Sequence, residues 1–252
     1  MHVADDLWLG NFSLGSGLLP GFAANEDPTL NQGVGPMGRV AFRNIVPLTA
    51  QTANVAALQH TTISTGLTLA AGTGATLASA PDGSGQPVIK FDVPRAVSLT
   101  SAGGNNFSGV NFTITGYDFY GRKTTQTRVG PNGTTVNTLK AFMSVLSVVP
   151  DTTDGTHNVS VGSSDIFGLS FACADAGYLI AKWANALALD AGTFVAADTT
   201  SPATAATGDP RGTYLPSSVS NGTNRLVLWQ HLIAPQCGPN ATVTDAIGVT
   251  PV

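Results

Sequence analysis

The segment GVNFTITGYDFYGRKTTQTRVG, residues 109–130, constrains the fold of this chain more than any other stretch. In its first half Val, Phe and Ile alternate with Asn and Thr, and this period of two places one set of side chains on a core and the other on a surface. The following YDFYG predicts a tight turn, in which Asp118 accepts hydrogen bonds from nearby N–H groups and Gly121 adopts a positive φ. RKTTQTRV then predicts a polar returning strand at an edge of the sheet, or on a face that does not meet the core.

Short segments rich in Thr and Val recur from Val40 onward, separated by turn sequences such as PDGSGQP, GGNN, PNGTT and SSVSNGTN. This spacing of strands and turns is typical of β-sandwiches and barrels. One segment, TVNTLKAFMSVLSVV, is also compatible with a helix, because Leu139, Met143 and Leu146 would share a face, but its Thr, Val and Ser content favours a strand. We therefore expect an all-β chain in which residues 41–252 form one β-sandwich or jelly-roll-like domain.

Two segments depart from this pattern. Residues 1–40 have no lasting period of 2 or 3.6 and are interrupted by Gly and Pro, yet they contain many large apolar side chains. We expect an extended N-terminal arm that packs on its own domain or on a neighbouring subunit; the alternative is a first strand and loops of the main domain. Residues 198–213, DTTSPATAATGDPRGT, predict a long loop that is exposed or laid across a partner.

The chain is poor in charge. Charged residues make up 10% of the sequence, where an ordinary soluble domain has about 25%, while the hydrophobic fraction of 42% is ordinary. A weakly charged surface promotes association, and a surface covered by neighbours avoids the cost of burying unpaired charges. The composition thus indicates a component of an assembly. With a net charge of −4 and no basic stripe, we expect no nucleic-acid partner.

The sequence also predicts no targeting segment and no membrane span. The first residues, MHVADDLWLG, contain acids where a signal peptide carries positive charge, and no apolar run approaches the ~20 residues that span a bilayer. We expect a protein that is made in a cytoplasm and has no membrane partner.

No motif in the sequence predicts catalysis, a cofactor or a metal. GVGPMG, residues 33–38, matches the dinucleotide pattern G-x-G-x-x-G, but DPTLNQ precedes it where a strand is required, so we interpret it as a loop. The four histidines have no neighbour at ligand spacing, and neither a G-x-S-x-G elbow nor a spaced carboxylate pair occurs. Cys173 and Cys237 are interpreted as buried thiols in preference to a disulfide.

Three segments resemble a known class of protein. SLTSAGGNNFSGVNFTITGYDFYGRKTTQT resembles a hairpin of virion proteins of tailed bacteriophages, in which a strand, T-G-x-D, a glycine and a polar strand follow one another. HNVSVGSSDIFGLSF and TTSPATAATGDPRGTYLPS resemble later segments of such proteins, including a G-D-x-R-G-T run formed by Gly208, Asp209, Arg211, Gly212 and Thr213. The resemblance covers Val97–Pro216, and such proteins are similar to capsid decoration (cement) proteins.

The resemblance implies a non-enzymatic structural protein that is made in the host bacterial cytoplasm, binds the outside of a capsid shell and stabilises it. Its expected partners are the major capsid protein and copies of itself, as a trimer first and a dimer second. A tail or neck component, such as an adaptor, tube or tail-tip protein, is the alternative. A third hypothesis, a glycan-binding or depolymerising spike, requires an aromatic platform or paired carboxylates in a cleft.

The candidate partner contacts are large apolar residues in segments where we expect little burial. The arm contributes Trp8, Leu9, Phe12, Leu18 and Leu19, and the hairpin tip contributes Tyr117, Phe119 and Tyr120.

Overall fold

The computed structural model describes residues 3–9, 38–61, 66–232 and 247–251, with the backbone alone for residues 3–9 and 38–40. As predicted, the chain is nearly all β: its antiparallel sheets curl into a half-barrel, consistent with an all-β sandwich fold. Among the residues described, no helix has the length and apolar character that crossing a bilayer requires. The strands are β1 Val3–Leu9, β2 Gly38–Ile45, β3 Ala56–Thr61, β4 Ala75–Ser79, β5 Pro87–Thr100, β6 Asn111–Tyr117, β7 Lys123–Val129, β8 Thr135–Pro150, β9 Asp154–Gly168, β10 Leu179–Trp183, β11 Thr193–Val195, β12 Thr213–Leu215 and β13 Leu226–Leu232.

The larger sheet has nine strands in the order β11-β12-β9-β5-β8-β6-β7, and β3 and β4 pair with β9 and β5 off this path. The long strands β5, β8 and β9 form its centre, so TVNTLKAFMSVLSVV lies in a strand, as its composition favours. The hairpin of residues 109–130 also forms as predicted. Asp118 accepts hydrogen bonds from the N–H groups of Tyr120 and Arg122, both at 2.9 Å, and Gly121 has φ of +74°. Strand β7 ends the strand order, which confirms the predicted edge.

The smaller sheet has four strands in the order β1-β2-β13-β10. Its first strand, Val3–Leu9, pairs with β2, so the backbone at the start of the predicted arm is part of this sheet. Strand β2 pairs along its length with β13, from Ile45 opposite Leu226 to Arg39 opposite Leu232. Trp8 and Leu9 lie on β1, where the structure describes the backbone alone, and Phe12, Leu18 and Leu19 lie outside the described residues.

Two apolar clusters form most of the core. One fills the curl of the larger sheet with side chains such as Phe91, Phe112 and Phe142. The other joins the two sheets: Phe167 and Tyr214 of the larger sheet pack with Trp183 of the smaller sheet. Cys173 is a buried free thiol in this second cluster, as expected, and Cys237 lies outside the described residues.

The predicted loop of residues 198–213 is exposed in part: residues 199–202, Thr204 and Ala206 are exposed, whereas residues 209–213 are buried, and the segment packs on strands β7 and β8 of its own chain. The ammonium group of Lys140 donates to the Thr204 carbonyl at 2.8 Å, and the Gln126 amide donates to the carbonyls of Ala205 and Thr207. The N–H of Thr127 donates to the Ala205 carbonyl at 2.7 Å, so the segment also covers part of the free edge of β7.

Candidate interaction surface and the buried charges beside it

The two motifs that carry the resemblance, the hairpin tip and G-D-x-R-G-T, meet in a buried ion pair. Asp118 follows β6, and Arg211 precedes β12. The Arg211 Nη1 lies 2.8 Å from Asp118 Oδ2, and the two side chains are 1% and 2% exposed. Because the other oxygen of Asp118 accepts two N–H groups of the turn, its carboxylate is fully hydrogen-bonded. This pairing fixes the hairpin tip against the segment before β12.

Asp209 supports the same cluster from the other side. Its Oδ1 accepts the N–H of Arg211 at 2.8 Å, and its Oδ2 accepts the N–H of Ala141 at 2.9 Å. Burial raises the pKa of Asp209, opposed by the charge of Arg211 and these N–H groups. Burial alone would lower the pKa of Arg211, but the carboxylates of Asp209 and Asp118 outweigh it, and the net shift is upward. We therefore assign the cluster a structural role, since all three side chains are buried and already paired.

Gly212 lets the chain pass this cluster and enter β12. Its φ is +87°, and a Cβ there would lie 2.6 Å from the Val195 carbonyl oxygen. The Gly212 carbonyl accepts the N–H of Leu169, while the Arg211 Nε donates to the Leu169 carbonyl at 3.2 Å. The G-D-x-R-G-T run therefore satisfies the backbone at the end of β9 as well as the charge of Asp118.

Of the three predicted hairpin contacts, the prediction for Tyr117 is wrong, because this side chain is buried. It is 1% exposed, packs with Ala80 and Val88, and donates its hydroxyl to Asp82 at 2.6 Å. The prediction treated the end of β6 as uncovered, but the turn between β4 and β5 covers that face. Tyr117 therefore offers almost no area to a partner.

Phe119 and Tyr120 keep part of their surface free. The ring of Phe119 is half-buried, lies under the guanidinium of Arg43 at 5.4 Å, and lines a cleft of about 230 Å³. Tyr120 donates its hydroxyl to the Ser170 carbonyl at 2.7 Å, and Arg211 lies 5.5 Å from its ring centroid. The tip is therefore held mainly by its own chain, and its role as a partner contact stays a prediction.

A different part of the molecule exposes more apolar surface. Strand β11 is the other end of the larger sheet and pairs with β12, with Thr193 opposite Leu215 and Val195 opposite Thr213. Around these two short strands lie exposed apolar side chains that we call the β11 surface: Leu139, Leu187, Leu189, Val195, Leu215 and Val219.

The loops of the β11 surface are held by Asp190. Its carboxylate accepts the Tyr214 hydroxyl at 2.8 Å and both the N–H and the hydroxyl of Ser217. Asp190 thus ties the loop before β11 to the loop after β12. Leu187 is nevertheless 92% exposed and Leu189 is 68% exposed, while Val219 in the second loop is 72% exposed. These exposed side chains on anchored loops make the β11 surface a candidate interaction surface, because exposed apolar patches commonly mark binding sites.

A groove of about 590 Å³ occupies the part of this surface formed by Leu139, Val195 and Leu215. Its lining includes Leu139 of β8 and Ile166 of β9, together with Val195 and Leu215. The described residues that line it include one ionisable side chain, Asp198. The Asp198 carboxylate already accepts the N–H groups of Thr200 and Gly208, so the groove presents mainly apolar and hydroxyl groups to a partner.

The β11 surface was not predicted, because we expected the exposed apolar residues in the arm and the hairpin. The available signal was ANALALDAGTFVAADT, residues 184–199, where Leu187 and Leu189 stand among Ala and Asn.

Among the described residues, no group of three or more His, Cys, Asp or Glu is placed to hold a metal ion.

Comparisons with known proteins give no assignment. No family model matches the chain. Searches of curated proteins and of solved structures find no significant match.

Proposed function

We propose that this chain is a non-enzymatic structural protein of a tailed-phage virion that binds the outside of the capsid shell and stabilises it. The resemblance of residues 97–216 to phage virion proteins supports the location on the shell. The exposed apolar side chains of the β11 surface support binding to a partner. Its partners are the major capsid protein and copies of itself.

The exposed β11 surface is the observation that carries the proposal. A chain with only 10% charged residues buries Arg43, Arg95, Lys140 and Arg211, yet leaves Leu187 in water. That distribution suits a protein whose outer face is covered in its working state, since apolar area removed from water stabilises a complex by roughly 25 cal/mol per Å². A protein that acts alone gains nothing from this exposure.

Stabilising a shell requires a large contact area and many copies of the protein. A shell that holds dense DNA is under pressure from within, and a protein that bridges neighbouring capsomers adds contacts that expansion of the shell must break. A modest apolar interface contributes several kcal/mol before the cost of association, and repetition over many sites multiplies that contribution. Neutral Thr, Ser and Asn side chains supply hydrogen bonds without the desolvation penalty of charges.

The test is the number of copies of this chain in purified virions, measured by quantitative mass spectrometry against the major shell protein. Decoration requires a number comparable to that of the shell protein, and the chain must be released before the shell proteins on mild dissociation. A few copies per particle would replace this proposal with a neck or tail-tip role. Complete absence from the particles would overturn any role in the virion.

A further inference from the structure

We propose that the groove of the β11 surface binds residues 10–25 of a second copy of this chain. This inference rests on the self-association included in the proposed function, but it does not require a capsid. The form of the groove, its charge and the positions of Leu9 and Gly38 support this occupant.

The groove is a preformed site on the outer face of the sheet. Thr193 and Val195 of β11 lie opposite Leu215 and Thr213 of β12, and all four side chains line it. Phe194, which lies between the first two, packs with the core instead. The alternation of β11 therefore sends one set of side chains inward and leaves the other set as the floor of an open groove.

The charge of the groove selects a neutral occupant. Asp198 is the ionisable residue of its described lining, and both Asp198 oxygens are already hydrogen-bonded to backbone N–H groups. The positive charge of nearby Lys140 partly offsets the carboxylate of Asp198, so the groove offers little attraction to a charged ligand of either sign. An uncharged apolar segment fits best.

Residues 10–25, GNFSLGSGLLPGFAAN, have the required chemistry. They contain no Asp, Glu, Lys, Arg or His, and they carry the large apolar side chains Phe12, Leu14, Leu18, Leu19 and Phe22. Glycine and proline disfavour a helix there, so the segment suits an extended bound form. Such a segment pairs with a groove through apolar contacts and backbone hydrogen bonds.

The attachment point lies within reach of the groove of its own chain and of a second copy, and the self-association included in the proposed function selects the second copy. Leu9 pairs with Gly38, so the two residues that flank 10–37 lie side by side at one end of the smaller sheet. Trp183, which leads into the loop that carries Leu187 and Leu189, lies at the opposite end of that sheet, where Leu226 pairs with both Trp183 and Ile45. The seven steps of β2 from Gly38 to Ile45 separate the two ends by roughly 23 Å.

The segment is long enough to reach a neighbour. Half of residues 10–37, extended at about 3.3 Å per residue, reaches roughly 45 Å from Leu9 and Gly38. A domain of this length has a radius of gyration of about 18 Å, so the segment can extend past its own domain.

Disulfide trapping tests the proposal. One chain carries Leu18→Cys, a second carries Val195→Cys, and both carry Cys237→Ser; the two are co-expressed with different tags and oxidised. We expect a covalent heterodimer that contains both tags, detected by non-reducing electrophoresis and peptide mapping. Phe12→Cys and Phe22→Cys repeat the trial along the segment. Leu77→Cys, at a 68% exposed position on β4, replaces Val195→Cys as the matched control and gives no heterodimer.

A chain that carries both Leu18→Cys and Val195→Cys completes the design. If it forms the disulfide within one chain and the single-cysteine chains form none between them, the segment occupies its own groove and the proposal is wrong. If no pair along the segment forms a disulfide, another occupant fills the groove, and the proposal is equally wrong.

Light scattering gives an independent measurement on purified protein. Val195→Asp places a carboxylate in the interface, where burying it unpaired weakens association by roughly 100-fold or more. At concentrations where the parent protein is oligomeric, we expect the molar mass to fall to that of the single chain, 25.6 kDa. An unchanged oligomer would contradict the proposal. Both tests use the isolated protein. They can give negative results even if the chain is found on virions. They can also give positive results even if the copy number on virions is too low for decoration.

Discussion

The hairpin tip and the β11 surface distribute charge and apolar area in opposite ways. At the hairpin tip, Asp118 and Arg211 form a buried ion pair, and the buried Asp209 accepts two backbone N–H groups. At the β11 surface, Leu187 and Leu189 are in water on loops that Asp190 holds in place. Buried paired charges specify how distant segments fit together, whereas exposed apolar groups gain free energy only when a partner covers them. The comparison assigns the first region to the fold and the second to assembly.

The largest expected effect comes from breaking the buried ion pair. Arg211→Met leaves the carboxylates of Asp118 and Asp209 buried without their guanidinium, which should lower the free energy of unfolding by about 3–5 kcal/mol. Urea unfolding measures this change in the free energy of unfolding. The control is Arg225→Met, because the Arg225 side chain is exposed and donates to the exposed Asn44 side chain at 3.2 Å. That variant should stay within about 0.5 kcal/mol of the parent. If Arg211→Met lowers the free energy of unfolding no more than the control does, the cluster does not have the structural role that we assign to it.

The opposite result is expected at the β11 surface. Leu187→Asp combined with Leu189→Asp should change the free energy of unfolding by less than about 0.5 kcal/mol, since both side chains are exposed. Burial of a leucine contributes about 1.5–3 kcal/mol, so each lost leucine should weaken attachment to its partner about 10- to 100-fold. Occupancy on particles measures this loss, with Leu77→Asp as the exposed control. If the double variant occupies particles as fully as the parent does, the β11 surface is not the attachment surface.

Tyr120 tests a smaller contribution to the hairpin tip. Tyr120→Phe removes the hydroxyl that donates to the Ser170 carbonyl and should lower the free energy of unfolding by about 1 kcal/mol. If Tyr120 is instead a partner contact, as the sequence suggested, the variant keeps the stability of the parent and loses attachment to particles. Urea unfolding and particle occupancy of the same variant separate the two outcomes.

The smallest expected effect is a pH dependence at Tyr117. Hydrogen bonds from Ser84 and Tyr117 lower the pKa of Asp82 from 3.8 to about 2, and the bond to Asp82 raises the pKa of Tyr117 from 10.0 to about 12. The Asp82 contribution to stability is therefore present above about pH 4 and lost as the pH falls toward 2. The Tyr117 contribution is present below about pH 10 and lost as the pH rises toward 12.

Thermal unfolding of Tyr117→Phe against the parent measures this dependence. The difference in Tm between the two proteins should be constant from about pH 4 to 10 and should shrink at both extremes. A difference that stays constant from pH 2 to 12 would show that the hydroxyl does not act through Asp82.

Local features of the fold could be predicted from the sequence. The alternation before Tyr117 and the turn residues Asp118 and Gly121 act within a few positions, so their pattern alone determines the strand, the turn and the inward-facing side chains. The Thr and Val content placed β8 correctly in a strand for the same reason.

Features that depend on distant partners could not be predicted. Nothing near Asp118 indicates that Arg211, far along the chain, completes its hydrogen bonds. Tyr117 was expected at the surface because the strand pattern does not show which loop covers its far face. Leu187 and Leu189 have the composition of core residues, and only the three-dimensional fold shows that no other described element covers them.

The most direct test of the account is the reactivity of a cysteine at position 187 in the isolated protein and in the assembled particle. Leu187→Cys should react rapidly with a maleimide in the isolated chain, because the parent side chain is 92% exposed. In assembled particles we predict that the reaction slows at least tenfold, while Leu77→Cys on β4 reacts at the same rate in both states. Equal rates at position 187 in the two states would contradict the claim that a partner covers the β11 surface.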